Sequence, residues 1–339
     1  MVGPPLTGFE KVRSVVETAV VIFAARESPD VLLKTLTMAN QSCGSTAQID
    51  VIVNGNRALS GEIAARISSP HIADSEAGTQ NPLSEPQPCS VLINVWDIEF
   101  GDKANAWNQY IHSIWSGERL AFFLDGNVYL NPNSISELER ITMDDGFALA
   151  GTGVPTQGRS AKAVRDELLE WGGLHGSFCC IKGRTLQEIK SRNIRLPLSL
   201  YRVDSLMGAL LGLGLAPQGQ DWQKEKIAVA SKASWTIDRW SWTKLSDIQS
   251  QFKRLLRQFK GGFEKRAFRH YLEVQKGLPE MMPETSLEMV TNHLRPQRFG
   301  WWAIRMYGVL SQFSSKRTAD QLPRLAWSGR MRVPEAAGR

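Results

Sequence analysis

The chain is short of cysteine, with Cys43, Cys89, Cys179 and Cys180 its only four in 339 residues, and they show neither a CxxC pair nor zinc-ligand spacing. That argues against a disulfide framework or a thiolate metal site and favours reduced thiols, as in the cytoplasm. Cys179 and Cys180 are adjacent within an apolar run and read as buried thiols. The chain has no apolar run of about 18 residues, so no helix is expected to cross a bilayer. The N-terminus, Met1-Val2-Gly3-Pro4-Pro5, lacks a charged stretch leading into an apolar one, and no signal peptide is expected. Histidine is scarce too: His71, His112, His175, His270 and His293 form no ligand-spaced cluster. There is no internal repeat and no nucleic-acid recognition motif, so no nucleic-acid partner is expected.

What is present is the composition of a folded protein. At 42% hydrophobic and 22% charged residues, the chain can bury a sizeable core. Its net charge of +6 is unevenly spread. Residues 251–339 hold 17 Lys+Arg against 7 Asp+Glu, a net of +10, while residues 1–250 carry 23 against 27, a net of −4. The expected organisation is therefore a domain over 1–250 and a basic, mainly helical extension over 251–339.

Apolar periodicity gives the elements. A buried strand is predicted over residues 18–25, then a helix opening at Glu27-Ser28-Pro29-Asp30 with Val31, Leu32, Thr35, Leu36 and Ala39 inward. A second strand, Ile49 to Val53, closes on Asn54-Gly55-Asn56, completing a βαβ unit with a parallel pairing. Residues 68–90 read as a long polar loop. Further strands are predicted at 91–95, 120–124, 147–151 and 178–181. Helices are predicted at 104–115, from Ser134 (with Ser134 as N-cap and Glu137 completing a capping box), at 159–171, at 185–192 and at 203–213.

One segment carries more chemistry than the others. In Phe122-Phe123-Leu124-Asp125-Gly126-Asn127, an apolar strand ends on two oxygen donors separated by a glycine. Open α/β sheets bind ligands at the carboxyl ends of their strands. Carboxylate and amide oxygens suit Mg²⁺ or Mn²⁺ carrying phosphates. A plain strand end with an Asp-Gly turn is the other reading.

Taken in order, the segments resemble a family 2 glycosyltransferase, of the inverting, nucleotide-sugar-dependent GT-A class. VVIFAARESPDVLLKTLTMANQ is similar to the family's first strand and helix, keeping Ala24 and Glu27 of the base-binding run. IDVIVNGN (49–56) resembles the second strand, with Val53 and Asn54 where two aspartates are usual. GDKANAWNQYI (101–111) matches the Gly-x-Lys-Ala-x-Ala-x-Asn helix start. FFLDGNVYLNP falls on the Asp-x-Asp strand end, with Asn127 in the second position. LHGSFCCIKGRTLQEI (174–189) resembles the acceptor-side segment. YRVDSLMGALLGLG (201–214) resembles the Glu-Asp-x-x-Leu element, with Val203 in place of Glu. The likeness covers about residues 15–215.

The resemblance implies a mixed, mostly parallel GT-A sheet of Rossmann-like α/β type flanked by helices. It implies transfer of a sugar from a nucleotide-diphosphate donor to a saccharide or lipid-linked hydroxyl, as in cell-envelope or polysaccharide biosynthesis. Asp204 is then the expected catalytic base. Glu27, Asn54, Lys103, Asn108, Asp125 and Arg239 are expected on the donor, and His175 and Trp240 on the acceptor. Asp125 and Asn127 would be ligands of Mg²⁺ or Mn²⁺. Each has a plainer reading, as helix cap, solvated first turn, loop histidine or packed aromatic. A nucleotidyltransferase of related fold would release pyrophosphate instead, and a degenerate nucleotide-sugar- or glycan-binding scaffold would not turn over.

In the extension, QFKRLLRQFK (251–260) places Phe252, Leu255, Leu256 and Phe259 on one helical face. Phe299 to Leu310 combines aromatics with flanking Arg298, Lys316 and Arg317. Basic amphipathic helices of this kind make peripheral contact with anionic membranes. Packing back onto the domain is the alternative.

Overall fold

The computed structural model describes residues 16–43, 47–68, 91–158, 160–238, 245–314 and 330–332, with side chains over 16–43, 47–68, 91–158, 160–238 and 255–311. Of the long loop read at 68–90, Ser68 ends a helix and residues 69–90 lie outside these, as do the side chains of Phe252, Lys316 and Arg317. The first strand, β1 (Thr18–Ala24), pairs in parallel with β2 (Ala47–Asn54) across helix α1 (Pro29–Ser42), as its sequence predicts. Ser28 caps α1, accepting from the Val31 amide at 3.4 Å, and Leu32, Thr35, Leu36 and Ala39 are buried.

Helix α2 (Arg57–Ser68) leads on to β3 (Leu92–Ile98), parallel to β2. Helix α3 (Lys103–Gln109) runs straight into a π turn at Tyr110–Ile114 before β4 (Leu120–Asp125), parallel to β1. After β5 (Tyr129–Leu130) come α4 (Ser134–Asp144), β6 (Ala150–Pro155), α5 (Ala161–Trp171), β7 (Phe178–Lys182), α6 (Gly183–Ser191), α7 (Val203–Gly212) and β8 (Ile227–Thr236). The C-terminal part of the chain supplies α8 (Leu245–Arg269), which runs across the boundary expected at 250/251, then α9 (Ser286–Leu294) and α10 (Gly300–Ser314), and β9 (Arg330–Arg332) pairs with β3.

The result is a mixed α/β sheet flanked by helices, in the order β5-β8-β6-β7-β4-β1-β2-β3-β9. Its direction changes between β4 and β7, which pair antiparallel. Strands β1 and β4 are buried on both faces, which is why they read as unbroken apolar runs. Ala19, Val21 and Phe23 enter one core with α3, α7 and the C-terminal helices, while Val20, Ile22 and Ala24 enter another with α1, α2 and α4.

Three expectations change. Ser134 is not the cap of α4: that position is Asn133, with φ of 62°, and Ser134 Oγ instead donates to Ser234 O at 2.8 Å and accepts from Ser234 N at 3.0 Å. The strand expected at 147–151 begins at Ala150, and Phe147 is exposed. On α8 the apolar residues of 251–260 are not turned inward: Leu255 and Phe259 are exposed and Lys260 is buried, while Phe263, Ala267 and Phe268 further along enter the core.

Candidate functional site

The carboxyl ends of the parallel strands are held together by close backbone contact. Gly55, just past β2, has φ of +70°, and a Cβ there would sit 2.5 Å from Gly101 Cα. Gly126, just past β4, donates to Phe23 O at 2.8 Å, and an added Cβ would come within 3.1 Å of that same oxygen. At 126 a side chain would crowd its neighbours, whereas at 55 both the space and the backbone angle demand glycine.

Lys103 opens α3 behind its cap Asp102, whose Oδ1 accepts from Asn105 N at 3.0 Å. Trp107 stacks on Phe123 at 4.3 Å and on Phe23 at 5.4 Å, which fixes α3 across β1 and β4. This anchoring brings the Lys103 ammonium onto the Asp125 carboxylate. Burial alone would lower the lysine's pKa, but Asp125 and then Asp204 outweigh it and raise the pKa above its ordinary value. Asp204 lies in the first turn of α7, and its Oδ2 accepts from Gly176 N at 3.3 Å. The loop from α5 to β7 must lie flat on this aspartate, since a Cβ at Gly176 would fall 2.9 Å from Asp204 Cβ.

His175 stands in the same loop, its ring 5.0 Å from that of Trp235. Its amide donates to Thr152 Oγ1 at 3.1 Å, and its Nδ1 accepts from Ser177 N at 3.2 Å. That bond places the imidazole proton on Nε2. Burial lowers the His175 pKa, against the opposing pull of Asp204 and Asp125, so the ring is held neutral. Lys103, Asp125, Asp204 and His175 therefore form one electrostatic cluster.

The other expected residues divide. Glu27 folds back at the end of β1, its Oε2 accepting from the Ala25 and Arg26 amides at 2.7 and 2.9 Å. Asn54 ends β2 with a buried amide oxygen that has no hydrogen-bond partner among the described residues. Asn108 is turned away, as both ends of its amide are taken by the Leu196 backbone at 2.9 Å. Arg239 and Trp240 lie outside the described residues.

The donor set does not fit a protein-held Mg²⁺ or Mn²⁺ ion. Asp125 is the only carboxylate of the expected pair, one of its oxygens already bears an ammonium, and Asn127 is neutral and exposed. Among the described residues no group of three or more His, Cys, Asp or Glu is placed to hold a metal ion.

The residues that support α7 carry weaker sequence signals. Glu264 on α8 is 0% exposed and Lys260 is 4% exposed. Glu264 Oε2 accepts from Tyr201 N at 3.0 Å and Arg202 N at 3.3 Å, just ahead of α7. Its other oxygen accepts from the Tyr307 hydroxyl of α10 at 3.0 Å. Lys260 pairs with Glu264 at 3.3 Å and donates to Ser199 O at 2.6 Å. Ser199 has φ of 63°, and its amide is held by Asp102, the cap of α3. Helix α8 and the cap of α3 thus both hold the loop that leads to Asp204. The i,i+4 spacing of Lys260 and Glu264 was the one visible hint.

No protein-family model matches the sequence, and no curated protein does. Among solved structures the chain is similar to the mannosyltransferase PcManGT from Pyrobaculum calidifontis, in complex with GDP-Man and Mn²⁺. Identity is 12%, over 87% of this chain and 73% of that one, with a TM-score of 0.48. It is also similar to S. aureus TarS 1-349 in complex with UDP-GlcNAc, at 10% identity over 88% of this chain and 87% of that one, with a TM-score of 0.44. Both neighbours hold a nucleotide sugar. For this chain, function has to be read from its own residues.

Proposed function

We propose that the protein is an inverting sugar transferase of the GT-A type, using a nucleotide-diphosphate sugar and a hydroxyl of a saccharide or lipid-linked acceptor. The observation that supports it is the meeting of one ammonium, two carboxylates and a neutral imidazole where the parallel strands end. In this reading the acceptor oxygen bonds to the anomeric carbon as the bond to the diphosphate oxygen breaks. Asp204 takes the acceptor proton. The departing electron pair stays on the diphosphate, whose growing charge Lys103 meets. An ammonium has three N–H donors, and Asp125 takes one while fixing the direction of the others. His175, protonated on Nε2, donates to an acceptor or sugar oxygen. Asn54, at the end of β2, and Glu27, just past β1, lie on the base side.

The test is a thermal-shift panel of nucleotide sugars followed by turnover with the stabilising donor. A nucleoside diphosphate should be released together with a sugar of inverted anomeric configuration. Release of pyrophosphate would assign the fold to nucleotidyl transfer. Stabilisation without turnover for any acceptor would leave a binding scaffold.

A further inference from the structure

Helix α10 buries Tyr307 and packs Ala303, Ile304 and Leu310 against the core. Its opposite side is apolar yet bare. Trp301, Trp302, Met306 and Val309 form one exposed stripe, continued by Phe299 just before the helix; Phe299 is 67% exposed and Trp302 61%. The spacing i, i+1, i+5, i+8 keeps these side chains on one face. The two indoles stack at 4.4 Å. Arginines frame the stripe: Arg298 lies over the Phe299 ring at 5.5 Å and Arg305 over Trp301 at 5.8 Å. Between Arg295 and Ser314 there is no acidic residue at all.

We propose that this face docks on an anionic lipid bilayer, with α10 lying in the plane of the interface. Three features select that partner. Indole and phenyl rings insert at headgroup depth, and arginines beside them pair with lipid phosphates while their stems stay in apolar surroundings. The acid-free run and the +10 net charge of residues 251–339 complement a negative surface. In addition, no helix among the described residues is long and apolar enough to cross a membrane, so α10 lies along the interface and does not span it. This inference does not depend on the chemistry proposed for the strand-end site.

The experiment is co-sedimentation of the full chain with phosphatidylcholine vesicles and with vesicles containing phosphatidylglycerol, alongside tryptophan fluorescence. Binding should require phosphatidylglycerol, weaken with added salt and shift the emission to the blue. The double variant W301S/W302S should bind about tenfold more weakly or worse. R298Q and R305Q should each lose about fivefold. All three should melt as the parent does, since the altered side chains are exposed. Equal binding by parent and W301S/W302S, or no binding to either vesicle, would overturn the proposal. So would sedimentation-velocity evidence of a parent dimer that W301S/W302S abolishes, which would assign the face to a second copy of the chain.

Discussion

The Lys103 ammonium is hydrogen-bonded to Asp125 Oδ1, joining the first residue of α3 to the last residue of β4. A lysine whose pKa is raised in the folded state contributes stability that is complete below its ordinary value of 10.5 and lost as pH rises through the folded value. It is therefore charged throughout the neutral range. With side chains 34% and 31% exposed, the pair is screened by solvent, and Lys103→Met should cost no more than about 1 kcal/mol of stability. Its effect on the donor should be larger, about tenfold or more in affinity, because a charge-assisted phosphate contact is lost. Isothermal titration with the stabilising nucleotide sugar measures this, and unchanged affinity would refute the role.

Asp204→Asn retains an oxygen for the Gly176 amide but cannot take a proton. Transfer should fall by about 10²-fold or more with donor affinity unchanged. Single-turnover kinetics separate the two quantities. Retained activity would remove Asp204 from the chemistry.

Glu264→Ala would leave the Tyr201 and Arg202 amides without their acceptor and Lys260 as an unpaired buried charge. A loss of about 3–5 kcal/mol is expected in urea unfolding. Removing the stranded charge as well, in K260M/E264Q, should recover part of it. A double variant no better than E264A would show that the carboxylate alone, and not the pair, holds the loop.

Burial lowers the pKa of His175, His112 and His293 below the ordinary 6.5. The unfolded chain then binds protons first, so stability should be complete above about pH 6.5 and decline as pH falls through the folded values. His175→Gln should flatten that decline in thermal melts taken from pH 7.5 down to about pH 5. An unchanged slope would mean that His175 is not held neutral by the fold.

The sheet's parallel half was legible because burial on both faces leaves a simple trace: β1, β2 and β4 are apolar runs that nothing else explains. The positions of Lys103, Asp125 and Asp204 at the ends of elements were legible because each stands next to an apolar or capped segment start or end. Asn108 misled, because sequence does not show that Leu196 offers both backbone groups to one amide. Ser134 misled similarly, since its hydroxyl finds a partner in Ser234, a hundred residues away on a strand with little signal of its own. Lys260 and Glu264 have the i,i+4 spacing of an ordinary helical ion pair, and only tertiary packing encloses them. Long-range pairings decide these cases, and a local pattern does not record them.

Tyr307 gives the exposed helix a geometric consequence. Its hydroxyl reaches Glu264 from the inner side of α10, and Glu264 holds the backbone that opens α7. Helix α10 and the start of α7, where Asp204 lies, are thus linked through a single carboxylate. A surface that seats α10 would set the tilt and height of the strand-end residues in the same event, so attachment and aiming become a single act.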